Sequence, residues 1–359
     1  MIETLVKTLL FAAPFVIIAV FWAMSVRERR LANDPTAKSF FERNGVAISL
    51  YLLVAIGFWI VLMIVLPQLV MVDFSFHPKL PFKDYGGPKD HYSIESYRYF
   101  LFGKTDGAFT IDHLAAIGRA LLGDECNSGL FNCTHLRAFV LTIVASIFVT
   151  LLNFCICYPL AYYMAQVAAM ERLRLLMLML IVPFWVNEIL RAFAFTIIFG
   201  TGGVLNDIMI GLGLITEPFD FIGADVAMYA GLSYAYLLLM MFPLYNAIES
   251  LDHNQIEAAR DLGAPWWHIH LFVVMPYAKP GIASGCTMVF MLSAGALAAP
   301  LILGGPNSLW FTPILYDRFY QAFNWPQGSA YAFILLLACV VFVMLVLKVF
   351  KVNLGEITR

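Results

Sequence analysis

The stretch IEAARDLGAPWWHIHLFVVMPYAKPGI, residues 256–282, contains charged side chains, two glycines and three prolines. It connects two long segments, residues 226–248 and 280–316, that contain no charged side chain. Proline and glycine are the strongest punctuation that a sequence offers, so a connection this rich in both predicts defined turns.

A short helix is predicted at residues 253–262. Asp252 and Gln255 resemble a capping box, in which Asp252 accepts from free backbone amides and Gln255 reaches back to the start of the helix. Glu257 and Arg260 stand three residues apart, on one face, and are predicted to form an ion pair.

The end of this helix is also marked. Gly263 suits a left-handed C-terminal cap, and Pro265 cannot continue the helix but can begin another, which would end near Pro276. Ala258 and Ala259 have small side chains, so another surface can approach this helix closely. The stretch therefore predicts a rigid helix–turn–helix.

The composition indicates whether the chain is surrounded by water or by lipid. Of 359 residues, 61% are hydrophobic and 13% are charged, whereas soluble domains have roughly 25% charged residues. The mean hydropathy is +0.81, and a net charge of −2 offers no basic surface for nucleic acid. A spanning helix needs about 20 apolar residues. The sequence predicts an all-α polytopic membrane protein with spans at 8–26, 44–72, 138–170, 175–206, 226–248, 280–316 and 319–347.

The positions of Lys and Arg predict the orientation, because basic residues concentrate in short cytoplasmic loops. The first span is followed by basic residues and by WAMSV, a poor cleavage site, so we expect a retained anchor and not a signal peptide. The N-terminus is then outside and the C-terminus cytoplasmic. Residues 73–135, 201–224 and 304–328 are predicted outside.

The cysteines divide between these compartments. Cys126 and Cys133 lie in the first outer segment, where an oxidising environment permits a disulfide. A metal site is the alternative, but no paired histidines lie nearby, so the disulfide is favoured and no metal is expected. The remaining cysteines lie in spans and are predicted to pack as small apolar side chains.

Glu188 and Arg191 interrupt the predicted span 175–206 and stand three residues apart on one helical face. Ionisable groups at membrane depth are costly and generally face an interior cavity or each other. Two interpretations remain open: a substrate path lined by both side chains, or an internal ion pair that fixes helix packing.

Further candidates for the path lie on neighbouring spans. Asp225, Tyr229 and Tyr236 recur along one face, and an acid with aromatic neighbours suits an ammonium ligand. An interfacial aromatic belt is the alternative for the tyrosines and is favoured for Tyr236. The preceding span offers side chains that line the path or hydrogen-bond across helices: Asn153, Tyr162 and Gln166.

EAARDLGA, followed by MP and a further proline, resembles the EAA loop of binding-protein-dependent ABC importer permeases. The matching residues are Glu257, Ala258, Ala259, Gly263, Ala264, Pro276 and Pro280, with Met275 where the family more often has Leu. Segments similar to the spermidine/putrescine branch are YSIESYRYFL (92–101), IVPFWVN (181–187), FPLYNAIESLD (242–252) and WPQGSA (325–330). The likeness covers about residues 45–101 and 136–350.

The resemblance implies a type I ABC importer permease-like six-helix core plus one extra N-terminal transmembrane helix in a bacterial inner membrane, with a periplasmic N-terminus. The expected organisation is an anchor and cytoplasmic loop (1–44), a first core span (45–72), a periplasmic loop with an inserted segment (73–135), a permease core (136–351) that contains the EAA loop (249–276), and a cytoplasmic tail (352–359).

The resemblance also implies that the EAA loop docks on a cytoplasmic ABC ATPase dimer, unless it is merely a well-capped connector. The expected coupling residues are Glu257, Ala258, Ala259, Arg260, Asp261 and Gly263. GKT at 103–105 lacks the first glycine of a P-loop, because Arg98 stands there. We therefore expect a transport subunit that is not an enzyme and binds no cofactor, with ATP and Mg on the partner.

The other implied partners are a periplasmic substrate-binding protein and a second permease subunit, a different one being favoured over a second copy. Polyamine or a similar organic cation is the favoured cargo. An opine, an organophosphonate or another amine-containing solute is the alternative. An ion-coupled secondary transporter, which would show internal repeats, is the third hypothesis.

Overall fold

The computed structural model describes residues 46–81, 84–85, 87–103, 132–305 and 308–352. The predicted anchor at 8–26, Cys126 and the tail after residue 352 lie outside these ranges. The chain divides into two compact units, and the boundary in the sequence falls between Ile94 and Glu95.

The described part of the first unit contains one helical run, which agrees with the predicted span 44–72. Helix α1 (Val46–Ile60) continues through a π-helical turn, π1 (Val61–Val65), into α2 (Leu66–Ser75). Pro67 lies in the first turn of α2. Because proline has no backbone N–H to donate, it accounts for the π-helical turn that precedes α2. Beyond α2, His77 lies between the carboxylates of Asp73 and Asp90.

The regular elements described in the second unit are all helices, joined by turns and irregular segments. Its elements are α3 (Glu95–Phe102), α4 (Cys133–Tyr162), π2 (Tyr163–Val167), α5 (Met170–Phe184), α6 (Glu188–Phe199), α7 (Val204–Gly211), α8 (Val226–Glu249), α9 (His253–Asp261), α10 (Trp266–Ile269), π3 (His270–Val274), α11 (Met275–Tyr277), α12 (Lys279–Ala294), α13 (Ala298–Leu303), α14 (Phe311–Tyr320) and α15 (Trp325–Phe350).

The core of this unit is the packing of α4, α8 and α12. Small residues permit the close approach of α8 and α12: a Cβ on Gly281 would lie 2.4 Å from the carbonyl oxygen of Pro243, and one on Gly285 would lie 2.7 Å from the sulfur of Met240. Glycine at such positions lets helix backbones approach within a membrane. A larger residue at Gly281 would meet backbone and force the two helices apart, whereas one at Gly285 would displace the Met240 side chain.

Within the described ranges, five helical segments are long and apolar enough to cross a membrane: Val54–Ser75, Thr134–Val167, Glu188–Gly211, Val226–Glu249 and Trp325–Phe350. Two predicted spans are not continuous helices. The span 175–206 breaks after Phe184, where Asn187 caps a new helix, and the span 280–316 breaks at Gly295 and again after Leu303. Absence of charge shows that a segment tolerates lipid, but it does not show that the helix is unbroken.

Candidate functional site

An open cavity of about 670 Å³ lies between α6, α8, α12, α13 and α14. Its volume is within the range of about 300–1,000 Å³ that is usual for small-molecule sites. The lining is mainly apolar, and Glu188 is the single charged residue among the described residues that form it. The lining residues are Asn187, Glu188, Ile189, Tyr236, Met291, Leu292, Gly295, Ala296, Leu297, Ala298, Leu301, Ile302 and Tyr316.

Glu188 is placed by the start of α6. The Asn187 side chain caps this helix by accepting a hydrogen bond from the backbone N–H of Ile189 at 2.8 Å, so Glu188 occupies the first helical position. A carboxylate is favoured there by the positive end of the helix dipole. The hydroxyl of Tyr236 donates to Glu188 Oε1 over a long 3.4 Å.

Arg191, one turn further along α6, is packed on aromatic rings. Its guanidinium lies 5.9 Å from the ring centre of Phe184 and 5.7 Å from that of Tyr234, at cation–π distance. Its Nε is buried without a hydrogen-bond partner in the described part of the chain. The ion pair considered from the sequence is not formed in this structure, and Glu188 is left without a salt bridge among the described residues.

The structure assigns Tyr236 to the interior and not to an aromatic belt. Its side chain is 8% exposed, it lines the cavity, and it contacts Glu188. The signal was present in the sequence, because Tyr236 falls near the middle of the span 226–248, too deep for a membrane interface.

The other candidates for the path lie away from this cavity. Asp225 has a left-handed backbone and accepts a hydrogen bond from the backbone N–H of Gly305 at 3.3 Å. Tyr229 packs against Phe148, with ring centres 5.6 Å apart. Neither side chain is in the described lining, so their place in the path stays a prediction.

Asn153 and Tyr162 on α4 also lie outside the lining. Asn153 is fully buried, and neither of its amide atoms has a hydrogen-bond partner within the described ranges. The Tyr162 ring is 4.4 Å from that of His270. Gln166 donates hydrogen bonds across helices to the backbone carbonyls of Ile248 and Leu251. Of the two interpretations offered from the sequence, this is the hydrogen bond between helices and not the lining of the path.

The predicted helix–turn–helix is present at residues 253–277, which we call the elbow. Asp252 accepts from the backbone N–H of Asn254 at 3.0 Å and so caps α9; the reciprocal Gln255 side-chain bond is absent from the described contacts. Gly263 has φ +79°. The bonds from the N–H of Gly263 to the carbonyl of Arg260 (2.8 Å) and from Ala264 to Ala259 (3.1 Å) form a Schellman motif.

The charges of the elbow are arranged differently from the prediction. Glu257 contacts His253 at 3.4 Å and does not pair with Arg260 among the described ion pairs. His253 lies one turn earlier on the same face, so it competes with Arg260 for the carboxylate. Ala258 is exposed, whereas Ala259 is half-buried against the core. Of the two alanines, Ala258 therefore offers the more open surface.

The elbow exposes apolar side chains that the sequence pattern did not single out. Leu262 is 89% exposed and Trp266 is 75% exposed, on either side of the turn at Gly263. The sequence signal that could have identified them is a pair of large apolar side chains on either side of a tight turn. Exposed apolar patches mark interaction sites.

On the far arm of the elbow, the ring of His270 is held against α4. Its Nδ1 lies 2.9 Å from the hydroxyl of Tyr158. Burial lowers the pKa of His270 below its usual range, because the charged form is disfavoured away from water. The ring is therefore neutral at neutral pH.

Residues 157–351, more than half of the chain, match the family described as binding-protein-dependent transport system inner membrane component. The chain belongs to this family. It is 33% identical over 206 residues to the spermidine/putrescine transport system permease protein PotB of Haemophilus influenzae, a match of 57% of this chain and 72% of that protein. The PotB of Salmonella typhimurium strain SL1344 is 36% identical over 174 residues, which are 48% of this chain and 60% of that relative.

The fold agrees with this family membership. A solved bacterial alginate ABC transporter, in complex with an alginate pentasaccharide-bound periplasmic protein, superposes with a TM-score of 0.60 at 15% identity, over 88% of this chain and 98% of the other. This permease is a multi-pass, all-α subunit of an ABC importer, which rules out the secondary-transporter hypothesis. The residue boundaries and the orientation of its termini stay predictions.

The described part of the permease contains no cluster of three or more His, Cys, Asp or Glu side chains suited to a metal ion. Cys126, one partner of the predicted Cys126–Cys133 disulfide, lies outside the described residues, so this disulfide stays a prediction. Cys157, Cys286 and Cys339 are free and buried, and Cys155 is free and exposed.

Proposed function

We propose that this permease forms the membrane pathway of an importer for polyamines such as spermidine and putrescine, or for similar organic cations. The observation that carries the proposal is Glu188, an acid in an apolar cavity that has no salt bridge among the described residues, while Arg191 of the same helix is packed on aromatic rings. A charge at membrane depth requires a counter-charge or strong hydrogen bonds. An alkylammonium group supplies the charge, and its methylene groups suit the apolar walls.

The aromatic and polar lining supports the same class of cargo. Tyr236 already donates to Glu188, and Tyr316 adds a second ring to the wall. An ammonium group is attracted by both a carboxylate and an aromatic face. The names of the relatives, which specify spermidine and putrescine transport, support this assignment independently of the cavity.

The proposed complex contains this permease, a second and different permease subunit, a periplasmic binding protein and two copies of a cytoplasmic ATPase. ATP and Mg would bind to the ATPase. The elbow would contact that subunit through α9 and the exposed side chains of Leu262 and Trp266. Closure of the ATPase dimer would then displace the elbow and switch the core between two packed arrangements.

A ligand panel tests this proposal. The complex is purified through a tag on this chain, its subunits are identified, and ATP hydrolysis is measured with its binding protein and one candidate solute at a time. Spermidine or putrescine should stimulate hydrolysis, and a zwitterionic opine or an organophosphonate should not. Stimulation by the opine or the phosphonate alone would reject the cargo, and purification without any ATPase would reject the importer.

A further inference from the structure

One amide side chain joins helix α4 to the elbow through hydrogen bonds. Gln166, in the π2 turn that extends α4, donates from Nε2 to the backbone carbonyls of Ile248 at 2.8 Å and Leu251 at 3.2 Å. Its Oε1 lies 3.1 Å from Nδ1 of His253, the first residue of α9. The amide therefore joins α4 both to the end of α8 and to the beginning of the elbow.

A second contact joins α4 to the other arm of the elbow. The hydroxyl of Tyr158 lies 2.9 Å from Nδ1 of His270, and the Tyr162 ring packs edge-on against the same imidazole. His270 is the first residue of π3, as Gln166 belongs to π2. A π-helical turn changes which way its side chains point and is frequent at functional positions. Both contacts thus depend on a local departure from regular helix.

The N-terminal part of α4 is hydrogen-bonded to α14. Thr142 Oγ1 accepts a hydrogen bond of 2.9 Å from the backbone N–H of Phe311, the first residue of α14. Arg318, further along α14, lies 3.1 Å from Nε2 of His135. An arginine can only donate, so this nitrogen accepts. Tyr316, between these two contacts in sequence, is the α14 residue that lines the cavity.

We propose that α4 transmits displacement of the elbow to α14, and thereby to the cavity wall at Tyr316. Gln166, Tyr158 and Thr142 act as its positioning residues. The helix has 30 residues, a length of about 45 Å at ~1.5 Å per residue. Packed elements move as rigid bodies, because close-packed interiors transmit strain and do not deform smoothly. The proposal rests on the proposed function, since the elbow is displaced by a bound ATPase.

The alternative route runs through α8 and α12, which adjoin the elbow along the chain and carry Tyr236 and Met291 into the cavity. Helix α4 is not adjacent to the elbow in sequence, and none of its residues is in the described lining. Its contacts with the elbow and with α14 would be dispensable if α8 and α12 transmitted the whole movement. The side-chain hydroxyls of α4 therefore distinguish the two routes.

Two isosteric substitutions test the proposal in the complete complex reconstituted into proteoliposomes. Tyr158→Phe removes one of the hydrogen bonds from α4 to the elbow, and Thr142→Val removes one of those to α14. The matched controls are Tyr163→Phe, whose hydroxyl forms neither contact, and Thr150→Val, whose buried hydroxyl donates to Ser146 of its own helix at 2.7 Å. The measured quantity is solute taken up per ATP hydrolysed, for whichever ligand stimulates the wild type.

Each test substitution should lower uptake per ATP by about three- to tenfold, the usual range for changes along a coupling route. The controls should stay within about twofold, and all variants should assemble like the wild type. The double variant Tyr158→Phe/Thr142→Val should be at least as impaired as the more severe single variant, because both losses weaken the same route. Test variants that match their controls would overturn the proposal.

Failure of the cargo assignment would give a different result. If the wild type responds to a solute other than a polyamine, the assay uses that solute and the α4 comparison is unchanged. If stimulated hydrolysis is normal in both test variants and uptake per ATP is also normal, α4 does not transmit the movement whatever the cargo.

Discussion

The elbow and the cavity differ in how their geometry is encoded. The elbow is built from contacts between residues close in sequence, such as the Asp252 cap and the hydrogen bonds that fix Gly263. The cavity depends on contacts between distant residues, such as Glu188 and Tyr236, which are separated by 48 positions. The region proposed for ATPase coupling is thus specified largely by the local sequence, whereas the region proposed for cargo recognition is specified by tertiary packing.

The two regions also differ in their electrostatics. Glu257 and His253 on the elbow are more than half exposed, and surface pairs of this kind contribute little because water and salt screen them. Glu188 lies in an apolar cavity, where a charge interacts far more strongly with a ligand. Substitutions at the elbow should therefore act through backbone geometry and contact area, and those in the cavity through charge.

The largest effect is expected at Gly263. Proline cannot adopt its φ of +79° and removes its N–H bond to Arg260, at a cost of about 3 kcal/mol or more. Gly263→Pro should reduce ATP-driven uptake by about a hundredfold while the chain still inserts, as measured by radiolabelled solute uptake and by the amount of permease in the membrane.

Gly213 provides the matched control for that prediction. It ends α7 with φ +71° and donates to Ile210 at 2.9 Å, so Gly213→Pro imposes the same strain away from the elbow. Comparable loss of uptake in both variants would indicate general destabilisation and would contradict a specific role of the elbow in ATP-driven uptake.

Removal of the cavity charge should have the next largest effect. Glu188→Gln keeps the shape of the side chain but loses the attraction for an ammonium group, so uptake of spermidine should fall by about tenfold or more. Asp207→Asn makes the same change on an exposed acid of α7 and should leave uptake unaltered. Equal uptake in the two variants would exclude Glu188 from recognition of the cargo.

A smaller effect is expected at the exposed apolar surface of the elbow. Leu262→Ala removes a side chain that is 89% exposed, so its loss should weaken ATPase binding by about fivefold with little change in the fold. Leu214→Ala, on a residue 67% exposed after α7, is the control. Retention of the ATPase during purification is compared across a detergent series, and identical retention would argue against this contact.

The smallest effect concerns pH. The pKa of His270 is lowered by burial, so the unfolded chain binds the proton more readily and stability falls as pH drops below about 6.5. The melting midpoint of the wild type should therefore decrease by about 1–2 °C more than that of His270→Phe between pH 7.5 and 5.5. Parallel curves for the two proteins would show that folding does not lower the pKa of His270.

The sequence predicted the parts that depend on local rules. Cap, turn and second helix of the elbow follow from Asp252, Gly263 and Pro265, and all three behave as expected. The predicted Glu257–Arg260 pair was wrong, because spacing identifies which side chains share a face but does not decide between His253 and Arg260 as the partner.

The cavity could be predicted only in part. Charge at membrane depth identified Glu188 and Arg191. It could not show that Arg191 packs on the rings of Phe184 and Tyr234 and forms no ion pair with Glu188 among the described residues. Asp225 satisfied the same pattern of acid and aromatics, yet it bonds the backbone of Gly305. Which candidates converge on one cavity depends on the breaks near Asn187 and Gly295. The break at Gly295 lies in a segment without charge, so the absence of charge did not reveal it.

The separation of coupling from cargo recognition is tested most directly by measuring ATP hydrolysis and spermidine uptake together in proteoliposomes that contain the Glu188→Gln complex. Hydrolysis stimulated by the loaded binding protein should remain within about twofold of the wild type while uptake falls by about tenfold or more. A parallel fall of both activities, or normal uptake, would contradict the assignment of cargo recognition to this cavity and of coupling to the elbow.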